Sequence, residues 1–70
     1  MKDYQKRMVK EYQELRECRD KLGRMLALYD EGTLEFELSC PVVLLETQLH
    51  IMIAYLNILE QRAEIEGIEL

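Results

Sequence analysis

The sequence predicts an all-α fold, an antiparallel two-helix hairpin with helices over about 3–31 and 41–66, assembling into a homo-oligomeric helical bundle. Three observations carry this. Apolar residues recur every seven positions in the first half. An unbroken 3,4 spacing of apolar residues runs through the second half. Beside that seam, VVLLETQLHIMIAYLNIL holds more hydrophobic surface than one neighbouring helix covers. Residues 1–70 form a single helical-hairpin domain. A chain this short buries only ~60% of the surface its unfolded form exposes, so self-association is one of the usual supports.

In the first helix Met1, Met8, Leu15, Leu22 and Tyr29 fall seven apart, with Tyr12 and Leu26 in the companion column. Gln5 and Arg19 interrupt that column. No proline intervenes, Gly23 is the one weak point, and Gly32 supplies a left-handed stop. In GTLEFELSC, Leu34, Phe36 and Leu38 alternate with acids, which predicts an extended connection folding its apolar side over the end of the hairpin. Ser39 or Cys40 is the expected cap of the second helix, with Pro41 in its first turn, where a missing N–H costs nothing.

The second helix carries Val42, Leu45, Leu49, Met52, Leu56, Leu59 and Ala63 as the seam facing helix one. Gly67 closes it. Leu44, Ile51, Tyr55, Ile58 and Ile65 form another column about 100° further round, and Ile53 adds to the excess from the other side. Five such side chains at roughly 1.5–3 kcal/mol each leave ~8–15 kcal/mol of burial unrealised in a monomer. That is the scale of a small domain's entire stability. A second copy is the economical cover, with a foreign protein as the alternative.

Composition narrows the function classes. Hydrophobic residues make up 49% and charged residues 33% of the chain, a folded rather than disordered balance. No basic-then-apolar leader opens the sequence. Glu46, Gln48, His50 and Asn57 interrupt its most apolar run, so the expectation is no membrane and a cytoplasmic location with free thiols. The net charge of −5 divides unevenly: residues 1–24 hold eight Lys/Arg against five acids, and residues 25–70 hold Arg62 alone against nine acids. Overall acidity argues against DNA or RNA as a partner, while the basic first helix still suits a small anion.

For catalysis the inventory is poor: one histidine, one serine and no glycine-rich phosphate loop. His50 and Glu46, one turn apart, read as a surface pair rather than an acid–base device. Cys18 and Cys40 have no metal-ligand spacing and lie too far apart in a hairpin to bridge; both read as small, buried, inert residues. The prediction is therefore no catalytic residue, no metal and no cofactor.

Most charges of helix one have partners one turn away: Asp3–Arg7, Arg7–Glu11, Lys10–Glu14, Arg16–Asp20, Glu17–Lys21 and Asp20–Arg24. Lys2, Lys6 and Lys10 make a cationic stripe. Arg19 occupies a seam position with no acid three or four residues away, so it needs an anion from another chain or a ligand. Tyr4 and Tyr12 flank the stripe. Ring plus cation is the chemistry that holds a nucleotide, the ring on the base and the cation on the phosphate. The plainer reading makes both tyrosines core or rim residues and the lysines solubilising.

QKRMVKEYQELRECRDKLGRML, a short acidic loop and PVVLLETQLHIMIAYLNILEQRAEIEGIEL together resemble small helical-hairpin proteins of phages and prophages. The likeness is to the hairpin domain of the sponge proteins that counter CBASS and Thoeris immunity. It covers most of the chain and rests on length and pattern, including Q-x-x-x-M-x-x-Y-L-x-I-L in helix two. The resemblance implies an oligomer, often a hexamer, that sequesters a cyclic di- or trinucleotide or a cyclic ADP-ribose-type signal between protomers without cutting it. On that reading Tyr4 and Tyr12 are the stacking rings, with Lys6, Lys21 and Arg24 as phosphate contacts and Arg19 as a further one. Arg62 would face the N-terminal half of helix one. The chain departs from the pattern in its acids: Asp3, Glu11, Glu14 and Asp20 would neutralise such a pocket. The competing reading is a non-catalytic adaptor that docks a protein through the Leu44–Ile65 column.

Overall fold

The computed structural model describes all 70 residues and contains two helices, α1 (Asp3–Glu31) and α2 (Val42–Glu66), packed antiparallel with no strand. The molecule measures 44 × 18 × 17 Å. Its long dimension is the length of α1, whose 29 residues rise ~1.5 Å each.

Both helices stop where glycine permits a left-handed residue. Gly32 has φ 75° and Gly67 has φ 69°. The Gly32 N–H donates to the Tyr29 carbonyl at 3.0 Å and the Thr33 N–H to the Leu28 carbonyl at 2.9 Å, satisfying two end carbonyls. At Gly67 the same two-bond closure sends the Ile68 N–H to the Ala63 carbonyl at 2.8 Å, and Ile68 then folds back against the core. The starts are looser. The Lys2 N–H donates to Gln5 Oε1 at 3.0 Å, half of a capping box. At α2 the cap is Pro41 itself, with no side-chain bond, so neither Ser39 nor Cys40 serves as expected.

The connection is only partly as its alternation suggests. Leu34 and Leu38 turn inward, but Phe36 is exposed. Bends within the segment break the extended geometry that would have kept all three on one side.

Every predicted α2 seam residue lies at least partly buried, with Leu56 1% and Leu59 0% exposed. On α1 the seam holds Gln5, Met8, Tyr12, Leu15, Arg19, Leu22 and Leu26, while its end members Met1 and Tyr29 are exposed. The core is thickest toward the open end of the hairpin: Met8 and Tyr12 against Leu56, Leu59 and Ala63, with Leu15 and Ile68 packed beside them.

The second column of α2 faces outward along its whole length. Ile51 is 63% and Ile65 85% exposed, and Leu44, Tyr55 and Ile58 are exposed as well. Their exposed fractions together amount to about three whole side chains, or roughly 5–9 kcal/mol of unrealised burial per copy. That is below the sum expected from five fully exposed residues and still large against a small domain's stability. By length and composition alone α2 would also cross a bilayer, with a mean hydropathy of 1.6 over its most apolar 18 residues.

Candidate functional site

The site begins with how α1 distributes its charges. Of the six one-turn pairs expected, two form: Lys10–Glu14 at 3.9 Å and Lys21–Glu17 at 3.3 Å. Asp20, the expected partner of both Arg16 and Arg24, turns to its chain neighbour. Its Oδ1 accepts from Arg19 Nε at 3.1 Å and lies 3.0 Å from Arg19 Nη2. The anion that Arg19 needs is therefore beside it on the same helix. Arg16 places its guanidinium carbon 5.9 Å from the centre of the Tyr12 ring. Arg24 forms no ion pair at all.

Arg19 and Arg24 flank a groove of about 530 Å³, completed by Asp20 and Gly23 on α1 and by Leu49 and Ile53 on α2. Gly23 lines the groove without a side chain, and a Cβ at that position would project into open space, meeting no atom within 4 Å. A mid-helix glycine costs roughly 1 kcal/mol relative to alanine, and no packing within the hairpin requires it. Such a position commonly marks close approach by something else. The chemistry on offer is two guanidiniums at one edge and an apolar wall opposite, suited to a flat molecule with an anionic rim.

The remaining predicted contacts do not converge here. Tyr4 lies about 22 Å from Arg19 along α1 at ~1.5 Å per residue. Its hydroxyl donates to Glu66 Oε1 at 2.6 Å, and Gln5 Nε2 donates to the same oxygen at 3.4 Å. The bond to Glu66 is the main reason the Tyr4 phenol is raised above its ordinary pKa, and the bond from Tyr4 is the main reason Glu66 is lowered. Tyr12 is buried in the core, and its hydroxyl donates to Glu60 Oε2 at 3.2 Å. With Arg16 over the ring, Tyr12 packs as part of the hairpin's core cluster. Lys6 is exposed with no ion pair, and Lys21 is held by Glu17 on the outer face.

A different groove, about 490 Å³, opens on the opposite flank between Leu15 of α1 and Leu44, Thr47, Gln48, Ile51, Met52 and Tyr55 of α2. It is mostly apolar and lies along the exposed column. Glu11 raises the Tyr55 phenol at its edge, although no hydrogen bond of ordinary geometry joins them. One flank of the hairpin is thus cationic and the other greasy.

The remaining polar and sulfur side chains that the sequence singled out line neither of these two grooves. His50 and Glu46 are both exposed and form no ion pair. Cys18 is exposed rather than buried, because it sits on the flank of the α1 seam, and both cysteines are free. No group of three or more His, Cys, Asp or Glu side chains is arranged to hold a metal ion.

Comparison with known proteins adds one result. The Sequestin family matches residues 2–65, nearly the whole hairpin. This chain belongs to the Sequestin family. The family's name fits a protein that binds and holds rather than one that converts. No curated protein and no solved structure matches the chain. In this Sequestin the sequence drew attention to Arg19 and Arg24, but it missed Gly23 as a groove floor and Leu49 and Ile53 as its wall. The available signal was a helix-interior glycine four residues after one arginine and next to another.

Proposed function

We propose that this Sequestin-family hairpin sequesters a small phosphate-bearing signal, of the cyclic di- or trinucleotide or cyclic ADP-ribose type, without converting it. The observation that carries the reading is Arg24: a guanidinium with no carboxylate of its own, on the rim of a groove floored by glycine. Arg24 meets a phosphate directly. Arg19 supplies a second contact, moderated by Asp20. The apolar wall of Leu49 and Ile53 takes the face of a base. The groove is open, and an open groove buries little of a ligand, so further copies of the chain close over it and complete the crevice.

Sequestration requires no chemistry. A binder in excess of its ligand, with Kd below the ligand's working concentration, removes the free signal by mass action. The setting that fits is a phage or prophage product in the host cytoplasm that blunts CBASS- or Thoeris-type signalling. The test is a thermal-shift panel of cyclic di- and trinucleotides and cyclic ADP-ribose isomers on the purified protein. A binding member at one hundred times its Kd adds ~2.7 kcal/mol of stability. That shift should disappear in Arg24→Glu. No shift from any member at millimolar concentration contradicts the reading.

A further inference from the structure

We propose that two copies of this chain pair antiparallel through the exposed column of α2, about a two-fold axis near Tyr55. This contact is separate from the one that closes the cationic groove in the proposed function, and it holds whatever that groove binds.

The column is more regular than its five apolar members suggest. Leu44, Gln48, Ile51, Tyr55, Ile58, Arg62 and Ile65 follow one another at spacings of 4, 3, 4, 3, 4 and 3, a complete second seam with two polar positions. All seven are exposed. The order of residue types reads nearly the same in both directions from Tyr55: aliphatic residues three or four positions away, polar residues seven away, aliphatic residues ten or eleven away. A two-fold axis there lays aliphatic on aliphatic and brings Gln48 of one copy near Arg62 of the other. A C2 interface needs this self-complementarity.

Other occupants fit less well. A parallel pair sets Arg62 against Arg62 in an apolar seam, where like charges repel. A bilayer strands both Gln48 and Arg62 in hydrocarbon, although α2 is apolar enough overall to tempt that reading. Arg62 has no ion pair within its own chain. The apolar groove beside Leu15 receives side chains of the second copy. The pair leaves the Arg19–Gly23–Arg24 groove on the opposite flank open to ligand and to the further copies that close over it.

The test is crosslinking of the full chain with Cys18→Ser and Cys40→Ser, using a short bis-maleimide that tolerates small offsets. Leu44→Cys and Ile65→Cys are prepared separately and mixed. In the antiparallel pair the two Leu44 positions lie about 32 Å apart at ~1.5 Å per residue, while Leu44 sits near Ile65 of the second copy. The expected result is a dimer crosslinked only in the mixture. Crosslinking of Leu44→Cys alone indicates a parallel pair and overturns the proposal. A chain that sediments as an 8.4 kDa monomer and floats with phosphatidylcholine–phosphatidylglycerol vesicles overturns it too, naming the membrane as occupant. Gln48→Glu gives an independent reading. It should tighten the dimer several-fold by facing Arg62 across the axis, and a loosened dimer contradicts the orientation. Failure of these arms with intact nucleotide binding removes the pairing alone; success of both with no nucleotide binding removes the sequestration reading alone.

Discussion

Asp20 gives its carboxylate to Arg19, its immediate neighbour at 3.0–3.1 Å, and not to Arg24 one turn further along the helix. This choice leaves one cation of the groove restrained and the other free. Truncating the free one, Arg24→Ala, should weaken binding of a phosphate-bearing ligand about 10- to 100-fold, since a hydrogen bond to a charged group contributes ~1.5–3 kcal/mol. Asp20→Asn acts in the opposite direction: Arg19 is released and affinity rises. Isothermal titration of both variants reads the two signs. Thermal stability should hardly move, because exposed ion pairs contribute only ~0–1 kcal/mol.

Gly23 separates stability from binding. Gly23→Ala removes the backbone penalty of glycine and should stabilise the chain by up to ~1 kcal/mol, because the new methyl meets no atom of the hairpin. The same methyl rises from the groove floor, so ligand affinity should fall. A melting curve with a matching titration checks both halves. Unchanged affinity in a stabilised variant would show that ligand does not approach Gly23.

Leu59 and Ile58 are adjacent in sequence and opposite in consequence. Leu59 is fully buried against α1, so Leu59→Ala should cost about 2–5 kcal/mol and unfold much of the population. Ile58 is exposed on the second column. Ile58→Asn should keep the helical circular dichroism signal at high protein concentration while lowering the sedimentation coefficient. The melting temperature of the unaltered chain should rise with its concentration, as for any fold supported by association.

The Tyr4–Glu66 bond confines its contribution to a pH window. Glu66 is lowered in the folded chain, so its share of stability is present above the ordinary glutamate range and is lost as pH falls through the depressed value. Tyr4 is raised, so its share is present below the ordinary tyrosine value and is lost as pH rises through the elevated one. The methyl resonances of Ile68, which packs beside this end of the core, should therefore shift at both acid and alkaline extremes. In Tyr4→Phe both transitions should lose amplitude.

Much of the fold was legible because a packed helix pair imposes a period. The α2 seam from Val42 to Ala63 and the stops at Gly32 and Gly67 follow from spacing and from glycine's access to positive φ. Phe36, the cap at Pro41 and the exposure of Cys18 were less legible, since no period governs a bent loop or the flank of a helix. The cationic groove was half legible. Sequence leaves Arg19 without an acid one turn away and assigns Asp20 to Arg16 and Arg24, but Asp20 has three arginines in reach, and only the side-chain geometry gives it to Arg19. Tyr12 was legible as a ring near lysines and as a seam residue alike, and the packing places it in the core with Leu56 and Leu59.

Whether the chain holds an intact signal is decided by native mass spectrometry of the assembly, purified from cells that make the signal. The expected species is an integral multiple of the 8.4 kDa chain carrying a phosphate-bearing nucleotide that is released at unchanged mass on denaturation, with a bare assembly for Arg24→Glu. An unliganded chain recovered from lysate that contains the free signal, or a ligand released in chemically altered form, would contradict sequestration.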